Sequence, residues 1–324
     1  MLEHGGNRRA ASVRYGIAEA AWLDLSTGIN PAPYPVPPAA SEDWGRLPQE
    51  EDGLEQAAAD YYGTTDLLAV AGSQAAIQAL PRLRAPGRAG VLYPGYAEHA
   101  RAWHAAGHDV VPLTAEQINA RLDNLSALVL MHPNNPNGAR FSRDALRDWH
   151  GRLAARGGWL VVDEAFIDPA PAASLAQADM PPGLIVLRSL GKFFGLAGAR
   201  VGFMLAAAPL RLALRELLGP WTVAGPSRRA AEAALRDRAW QVATRQRLLA
   251  DSVRLAGLLR AAGLPPAGGC ALFQWVVTGE AEGLHRRLAE AAILTRWFPE
   301  TGSVRFGLPG TEADWQRLEQ ALQE

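Results

Sequence analysis

The sequence predicts an α/β fold, with a mostly parallel sheet in a large domain and a smaller α+β domain. Between residues 67 and 207, seven β-rich segments alternate with helical patterns, an order typical of βαβ units. Most of these segments are apolar throughout, as expected for strands that are covered on both faces. After residue 270 the pattern changes, and three strand-like segments alternate with two helical ones. The fold class and its two parts follow from these observations.

The elements of the large sheet are predicted from short apolar runs. The seven strands lie at 67–72, 89–94, 108–113, 127–133, 159–166, 184–190 and 201–207. Helices are predicted at 73–84, 95–106 and 142–155, and Ser142 is a suitable N-cap for the last of them. Residues 227–262 contain no Pro and no Gly before Gly257, which predicts one or two long helices.

The two ends of the chain differ in pattern. Near the C-terminus, strands are predicted at 270–277, 293–298 and 303–309, and helices at 281–291 and 312–322. The first 45 residues are predicted to be irregular. Within them, the proline-rich stretch 31–38 is expected to be extended or turn-like rather than helical.

Charge and composition exclude several classes of function. The 324 residues carry 32 basic and 33 acidic side chains, and this balance argues against nucleic acid or an anionic membrane as a partner. A single cysteine, Cys270, excludes an internal disulfide and a site built from several thiolates, and no bound metal is expected. No segment approaches the ~20 apolar residues of a membrane span, and the N-terminus lacks an apolar signal segment. We therefore expect a cytoplasmic protein.

The strongest chemical signal is the segment SLGKFFGLAGAR, residues 189–200. Lys192 lies in an apolar, glycine-flanked setting after a predicted buried strand, where an ammonium group must be paired, desolvated or used covalently. A desolvated lysine is a nucleophilic amine, as attachment of an aldehyde cofactor requires. A lysine that extends from a loop into solvent is the simpler alternative. Ser189 and Arg200 favour the first interpretation, because a hydroxyl and a guanidinium near one amine suit a phosphate.

An acidic pair, Asp163 and Glu164, follows a strand of Val and Leu. Open α/β sheets bind ligands at the carboxyl ends of their strands, so an acid there is expected to face the binding crevice. A carboxylate can keep a ring nitrogen protonated, which makes a pyridinium an effective electron sink. The alternatives are Mg²⁺ ligation and capping of a following helix. A Mg²⁺-nucleotide site is disfavoured, because the chain contains no G-x-x-x-x-G-K-[ST] phosphate loop.

Two more turns follow strands of the same sheet. Asn135, in the run MHPNNPNG, lies in a predicted tight turn, where its amide is placed to bind a ring hydroxyl; most such turns are only connectors. Gly72 and Ser73 lead into a helix, and the backbone N–H groups of Ser73 and Gln74 suit a phosphate monoester. Neither turn is specific by itself.

Taken together, these motifs resemble the fold-type I pyridoxal-phosphate enzymes related to histidinol-phosphate aminotransferase. The match covers most of the chain, and S-x-x-K-x-F-G-L-A-G-x-R is its most specific part. The resemblance implies a fold-type I transferase with a large cofactor domain, 41–222, and a discontinuous small domain, 1–40 and 223–324. It also implies pyridoxal 5'-phosphate as the cofactor and a homodimer with active sites between subunits.

The resemblance assigns roles in cofactor binding. Lys192 binds the cofactor covalently, and Asp163 pairs with the pyridinium nitrogen. Asn135 binds the ring hydroxyl. The residues that match the cofactor-phosphate site are Gly72, Ser73, Gln74, Ser189 and Arg200.

The aromatic residue that stacks on the cofactor in this family comes from a P-x-Y-x-x-Y/H motif, here Pro94 to His99. We predict that His99 stacks and that Tyr96 lines the pocket; a solvated histidine on a helix face is the alternative. The chain departs from the family at two tyrosines. Phe166 replaces the tyrosine three residues after the acid, and Leu47 replaces the tyrosine of an R-Y-P motif. Both changes leave cofactor binding intact and argue against simple transamination.

The chain ends resemble one branch of this family, the threonine-phosphate decarboxylases, through HGGN (4–7), DLSTGINP (24–31) and GRLP (45–48). The branch decarboxylates O-phospho-L-threonine to (R)-1-amino-2-propanol O-phosphate and CO₂, which supplies the aminopropanol arm of cobalamin. Arg305 is implied to bind the α-carboxylate, and Arg296 with His4 the substrate phosphate. Gly28 stands where the branch often has an asparagine. The implied substrate-binding residues are His4, Gly5, Gly28, Asn135, Arg296 and Arg305.

Two other functions remain open at this point. A histidinol-phosphate-type aminotransferase shares every cofactor residue and predicts turnover that depends on a keto acid. A non-catalytic cofactor-binding or scaffold protein is disfavoured by the intact set Lys192, Asp163 and Arg200. The absence of a helix-turn-helix segment or a basic arm argues against it as well.

Overall fold

The computed structural model describes residues 4–323, which form two compact units. The large unit contains Tyr34–Asn135 and Arg140–Val242. The small unit contains the residues up to Pro33, the short piece Pro136–Ala139, and the chain from Ala243 onward. Within the described residues, no helix combines the length and apolar character needed to cross a membrane.

Helices and strands are numbered in chain order. The α-helices are α1 (Arg8–Tyr15), α2 (Ser41–Gly45), α3 (Leu54–Tyr62), α4 (Ser73–Ala79), α5 (Ala97–Ala105), α6 (Ile118–Arg121), α7 (Arg143–Ala154), α8 (Ala208–Leu218), α9 (Gly225–Arg236), α10 (Arg238–Ala261), α11 (Ala281–Glu290) and α12 (Glu312–Gln323). The strands are β1 (Leu23–Asp24), β2 (Leu67–Val70), β3 (Arg88–Leu92), β4 (Asp109–Leu113), β5 (Ala127–Met131), β6 (Trp159–Asp163), β7 (Leu184–Ser189), β8 (Gly202–Leu205), β9 (Gly268–Cys270), β10 (Phe273–Val277), β11 (Ile293–Leu294), β12 (Arg296–Phe298) and β13 (Ser303–Gly307).

The large unit is built on a seven-stranded sheet in the order β2-β8-β7-β6-β5-β3-β4. Only β8 runs antiparallel to its neighbours, so the predicted α/β class and the mostly parallel sheet are confirmed. The central strands β5, β6 and β7 are parallel, and nearly all of their residues are buried. Their carboxyl ends therefore meet at one edge of the sheet, which brings the segments after Met131, Asp163 and Ser189 together.

Some helices differ in detail from the prediction. The helix predicted over 73–84 ends as α-helix at Ala79 and continues as a 3₁₀ turn, Leu80–Leu83, which contains Pro81. The long helical region divides into α9 and α10 at Asp237. There the backbone leaves the helical conformation, and the Asp237 carboxylate accepts a hydrogen bond from Trp240 N at 2.9 Å.

The small unit joins the two ends of the chain. Its four-stranded antiparallel sheet has the order β12-β13-β10-β9. A separate parallel pair connects β1 to β11, with Leu23 opposite Ile293 and Asp24 opposite Leu294. Residues before position 34 thus pair with residues after position 290.

The expectation that the first 45 residues are irregular was wrong. They contain α1, the short α2 and β1, while 31–38 lies outside helices and strands as expected. Helix α1 has few apolar residues, but the Asn7 side chain caps it by accepting from Ala10 N at 3.0 Å. Its one buried residue, Ala11, packs in a cluster with Trp22.

The unit boundaries lie elsewhere than the expected 40/41 and 222/223. Residues 34–40 and 223–242 belong to the large unit. The Tyr34 N–H donates to Phe194 O at 2.9 Å, and α9 packs on α3. Residues 136–139 belong to the small unit. They lie close to its strand β9: a Cβ atom at Gly268 would be only 2.1 Å from Asn137 O.

Candidate active site

Lys192 lies in the turn that follows β7, at the carboxyl edge of the large sheet. Its side chain is half-buried, and Nζ lies 5.5 Å from the centroid of the Phe166 ring. The turn is held by Ser189, whose Oγ accepts from Gly191 N at 3.2 Å. Lys192 is also the only lysine in the sequence. In a chain with 32 basic residues, this is a strong signal that position 192 needs an amine rather than a positive charge.

A cradle for an anion forms where β2 leads into α4. A Cβ atom at Gly72 would lie 2.7 Å from Nη2 of Arg200, so the guanidinium lies directly over this glycine. A Cβ atom at Gly202 would lie 2.5 Å from Ser73 N. The backbone N–H groups at the start of α4 and the Arg200 guanidinium are therefore close together, as phosphate binding requires. The sequence analysis missed Gly202; a glycine inside a buried strand marks such a close approach.

The side chain of Gln74 binds protein groups rather than facing the cradle. Its Oε1 accepts from Tyr96 Oη at 3.2 Å, and its Nε2 donates to Glu98 Oε2, also at 3.2 Å. Gln78 donates to the same oxygen at 2.9 Å. Burial, with the nearby charges of Asp163 and Glu98, raises the pKa of Tyr96 to about 12. For the phosphate-binding role predicted for Gln74, this leaves its backbone N–H at the start of α4.

Asp163 and His99 form a buried pair at the end of β6. Asp163 Oδ2 lies 3.0 Å from Nε2 of His99, and Asp163 Oδ1 accepts from Ala165 N at 3.0 Å. Both side chains are almost fully buried. The alternative of a solvated histidine on a helix face is therefore wrong. The stacking role predicted for His99 stays a prediction, and the structure adds a contact that the motif did not reveal: His99 orients the carboxylate of Asp163.

Glu164 is turned away from Asp163 and belongs to a buried ion network. It accepts from Ser174 Oγ at 2.5 Å, Leu175 N at 2.7 Å and Arg188 Nη1 at 3.3 Å. Arg188 also donates to Asp168. Burial alone would lower the pKa of Arg188, but Asp168 and Glu164 together raise it. Only the first acid of the predicted pair is thus available for a ligand, and the second holds β6 and β7 in place.

The turn after β5 places Asn135 at the same sheet edge. Its neighbour Asn134 fixes the turn by donating to Pro94 O at 2.8 Å. His132, at the start of the turn, is buried, and its Nδ1 accepts from Phe141 N at 3.3 Å. Burial and the charge of Arg140 lower the pKa of His132 to about 4, so this histidine is neutral near pH 7. Asn135 itself is half-buried.

In the small unit, two arginines lie side by side. Arg296 on β12 is the direct cross-strand partner of Arg305 on β13. Arg305 is buried, and its guanidinium lies 5.2 Å from the Phe273 ring centroid and 5.9 Å from that of Phe298. Burial, together with the charge of Arg296, lowers the pKa of Arg305 to about 10. Like charges directly opposite one another destabilise a sheet, so this arrangement favours binding of an anion.

The N-terminal residues lie beside Arg305 in the same unit. Nη2 of Arg305 donates to Ser26 O at 2.6 Å. A Cβ atom at Gly5 would lie only 2.3 Å from that same oxygen, so Gly5 lies flat against Ser26. Gly28 is buried two residues further on, while His4 is exposed. The structure therefore brings Gly5 and Arg305, two predicted substrate residues, to one carbonyl group.

The two departures from the family pattern are both visible. Phe166 is buried against the Lys192 amine and offers an aromatic face in place of a hydroxyl. Leu47 is exposed on the surface of the large unit, with 64% of its side chain accessible.

The groups in the large unit fit a phosphorylated aldehyde cofactor with a ring nitrogen. Lys192 provides an amine, and Asp163 provides a carboxylate that a backbone N–H and an imidazole hold in place. Because Gly72 and Gly202 have no side chain, the Arg200 guanidinium and the backbone N–H of Ser73 can approach these glycines closely. Lys192, Asp163 and Ser73 all belong to the large unit. The first two lie at or after the carboxyl end of a strand, and Ser73 begins α4.

Comparison with known proteins gives consistent results. A family model described as aminotransferase class I and II matches residues 42–322. The chain is 56% identical over 322 residues to a threonine-phosphate decarboxylase of Pseudomonas aeruginosa, and the match covers 99% of this chain and 97% of the relative. A threonine-phosphate decarboxylase of a Sinorhizobium species is 40% identical over 334 residues, with the same coverage.

Histidinol-phosphate aminotransferases are less similar in sequence. The enzyme of Sodalis glossinidius is 32% identical over 232 residues, which covers 64% of this chain and 63% of the relative. Among solved structures, the histidinol-phosphate aminotransferase of Sinorhizobium meliloti in complex with pyridoxal-5'-phosphate has a TM-score of 0.84 at 21% identity, covering 98% of this chain and 94% of that chain. At this identity the structural match shows the fold alone.

Proposed function

Because the chain belongs to the class I and II aminotransferase family, we propose that it is a pyridoxal-phosphate-dependent decarboxylase of O-phospho-L-threonine. The threonine-phosphate decarboxylases of Pseudomonas aeruginosa and a Sinorhizobium species match nearly the whole chain at 56% and 40% identity, whereas the histidinol-phosphate aminotransferase of Sodalis glossinidius is 32% identical over 64% of it. The product would be (R)-1-amino-2-propanol O-phosphate, for the aminopropanol arm of cobalamin.

The reaction breaks one bond and forms one. The bond between Cα and the carboxylate carbon breaks, CO₂ leaves, and a proton takes its place on Cα. When bound, pyridoxal phosphate supplies an electron-poor ring that stabilises the electron pair left on Cα. No oxidant, reductant or second substrate is consumed.

The residues of the large unit hold the cofactor in this proposal. Lys192 would hold its aldehyde carbon through Nζ, and the same amine is the group that would deliver the proton to Cα. Asp163 keeps the ring nitrogen protonated, and the hydrogen bond from His99 keeps that carboxylate aligned. Asn135 binds the ring hydroxyl. The phosphate would be bound by Ser73, Gln74, Ser189 and Arg200. Gly72 has no side chain, which allows the Arg200 guanidinium to lie beside it.

The residues of the small unit bind the substrate. Arg305 holds the α-carboxylate in a two-point contact that a lysine cannot offer. Arg296 and His4 bind the phosphate, and the backbones of Gly5 and Gly28 border the substrate. A fixed carboxylate would decide which bond at Cα breaks, because orientation of the substrate selects the bond that reacts.

One observation supports this substrate above others. Arg296 and Arg305 are directly opposite on neighbouring strands, and the second is buried with a lowered pKa. Two adjacent guanidiniums fit a ligand that carries two anionic groups a few bonds apart. O-Phospho-L-threonine carries a carboxylate and a phosphate in that relation, whereas histidinol phosphate has no carboxylate.

The test is incubation of the purified holoenzyme with O-phospho-L-threonine and no 2-oxo acid. We expect CO₂ and aminopropanol phosphate in equal amounts, with the cofactor unchanged in the absorption spectrum. Turnover that requires a keto acid, with no CO₂, would indicate an aminotransferase instead. A colourless protein that does not take up the cofactor would contradict both activities.

We also propose that the enzyme is a cytoplasmic homodimer. Several large apolar side chains of the large unit are highly exposed, among them Trp44 at 73%, Leu47 at 64%, Leu212 at 57% and Trp221 at 55%. Pro48 and Trp221 line one surface cavity. Exposed apolar surface of this kind is typical of a protein interface. Sedimentation velocity should show a dimer that Trp221→Arg weakens; a monomer at micromolar concentration would contradict the proposal.

A further inference from the structure

Ser26 occupies a junction in the small unit at which the N-terminal residues and the buried arginine meet. Its hydroxyl accepts from Gly6 N at 2.7 Å and donates to Asp24 Oδ1 at 2.5 Å. Its own N–H donates to the same carboxylate oxygen at 2.9 Å. Its carbonyl accepts from Arg305. The hydroxyl therefore serves as donor and acceptor at once, which alanine in its place would not do.

The backbone around Ser26 is fixed to both strands that lead to the arginines. Leu25 N donates to Leu294 O at 2.8 Å, and Gly307 N donates to Leu25 O at 2.7 Å. Leu294 lies two residues before Arg296, and Gly307 two residues after Arg305. Ser26 is thus presented at a fixed place next to the arginine pair, independently of its own side chain.

The N-terminal segment has far fewer contacts of this kind. Gly5 fits against the Ser26 carbonyl only because it has no side chain. Gly6 adopts φ +88°, in the left-handed region that glycine tolerates best, and its N–H reaches the Ser26 hydroxyl. Immediately afterwards Asn7 caps α1. The hydroxyl of Ser26 therefore ties the backbone of Gly6, next to Gly5, to the residue whose carbonyl accepts from Arg305.

We propose that Asp24 and Ser26 are positioning residues that hold the segment 4–6 against Arg305 and so keep the binding site for the substrate anion formed before substrate arrives. We call these four residues, Gly5, Gly6, Asp24 and Ser26, the Ser26 latch. The proposal rests on the proposed function for the identity of the substrate. It assigns the latch to substrate affinity and leaves the chemical step to Lys192 and Asp163.

The first test compares Ser26→Ala with Ser303→Ala in the holoenzyme. Ser303 is a matched control: it is a fully buried serine on the same strand as Arg305, but its hydroxyl binds Trp275 and Thr301. Ser26→Ala should raise KM for O-phospho-L-threonine about tenfold and change kcat by less than about twofold, because one hydrogen-bonded network is lost before the chemical step. Ser303→Ala should leave KM unchanged.

The second measurement does not need turnover. Hydrogen exchange of peptides that cover residues 4–15 should be at least about tenfold faster in Ser26→Ala than in the native holoenzyme or in Ser303→Ala. The dissociation constant of inorganic phosphate should rise by about fivefold in Ser26→Ala alone. If the holoenzyme decarboxylates nothing, these two readouts still decide the proposal on the latch.

Three more variants guard against a folding defect at position 26. Gly5→Ala places a Cβ atom against the Ser26 carbonyl without altering Ser26 or Arg305, and it should reproduce the higher KM and faster exchange. Asp24→Ala should do the same, while Asp24→Asn retains the acceptor oxygen and should keep exchange of the N-terminal peptides as slow as in the native protein. Equal KM in Ser26→Ala and Ser303→Ala, or unchanged exchange of the N-terminal peptides in Ser26→Ala or Gly5→Ala, would overturn the proposal.

Discussion

The two units treat buried charge in different ways. In the large unit, buried charges contact their opposites: Glu164 and Asp168 flank Arg188. The carboxylate of Asp163, proposed to pair with the cofactor nitrogen, is likewise held by His99. In the small unit, Arg305 is buried next to another guanidinium, Arg296.

A buried ion network with its hydrogen bonds satisfied is rigid and costly to disturb, which suits a cofactor that stays in place. Two like charges on neighbouring strands repel one another, and a bound anion would relieve that repulsion, which suits a substrate that comes and goes. The variants described next alter one unit at a time.

The largest effect is expected at the attachment point of the cofactor. Lys192→Ala should lower kcat by at least about 1000-fold, because it removes both the amine for the aldehyde and the proton donor. Reduction with borohydride should label the native protein on a lysine. The sequence has no other lysine, so the variant should carry no lysyl adduct. Activity within tenfold of native, with the cofactor still bound, would show that position 192 is not the attachment point.

The next largest effect is expected in the small unit. Arg305→Lys keeps the charge but loses the planar fork and the contact with Ser26 O, so KM for O-phospho-L-threonine should rise by roughly 100-fold. The spectrum of the bound cofactor should not change, because the large unit is unaltered. Steady-state kinetics and absorption spectra test this. A changed spectrum with an unchanged KM would reverse the roles given to the two units.

The large unit should also lose stability as the pH falls, because of the buried histidine His132. The pKa of His132 is lowered to about 4 in the folded protein, below the ordinary value of 6.5, so the unfolded chain binds the proton more readily. Burial of His132 in its neutral form therefore costs nothing at neutral pH, and the folded protein loses stability as the pH falls from about 6.5 towards 4. From His132 alone we expect the free energy of unfolding to be about 2 kcal/mol lower at pH 5 than at pH 7.5.

The control for this prediction is His132→Asn, whose side-chain oxygen can still accept from Phe141 N. Urea unfolding at both pH values should show a smaller drop in the variant, by about the same 2 kcal/mol. An identical pH dependence in the two proteins would mean that His132 is not buried in its neutral form.

A smaller effect is expected from His99→Phe, which keeps an aromatic ring and removes the hydrogen bond to Asp163. Loss of that bond should lower kcat about tenfold and leave KM for substrate within about twofold. The same variant separates the two roles of His99, because stacking alone would survive in phenylalanine. Native kinetics in His99→Phe would show that the bond to Asp163 has no part in the reaction.

Much of the large unit could be predicted from local sequence. Its strands are uninterrupted apolar runs, and each is found within a few residues of its predicted position. Lys192 and Asp163 were found because they lie at or just after the ends of such runs. The contact between His99 and Asp163 could not be predicted in this way, since the two residues are 64 positions apart and meet only in the folded unit.

The small unit was harder to predict for the same physical reason. Ser26 and Arg305 are 279 positions apart, and no local pattern links a serine near the N-terminus to an arginine near the C-terminus. Helix α1 was missed because it exposes most of its residues and so lacks an apolar face. Asp163 and Glu164 have different roles because Glu164 pairs with Arg188. Arg188 lies on the neighbouring strand β7, so this pairing is recognised only once the order of the strands is known.

The smallest effect is expected from Arg296→Met, which directly tests whether the small unit contains like charges that repel one another. Arg296→Met removes one of the two opposed charges, so the ligand-free holoenzyme should become more stable, by up to about 1 kcal/mol. The gain in melting temperature on adding inorganic phosphate should fall in the same variant, because one partner of the anion is gone. Arg88→Met is a suitable control, since Arg88 is an exposed strand residue paired with Asp109. If Arg296→Met destabilises the ligand-free protein as much as Arg88→Met does, repulsion between Arg296 and Arg305 does not lower the stability of the small unit.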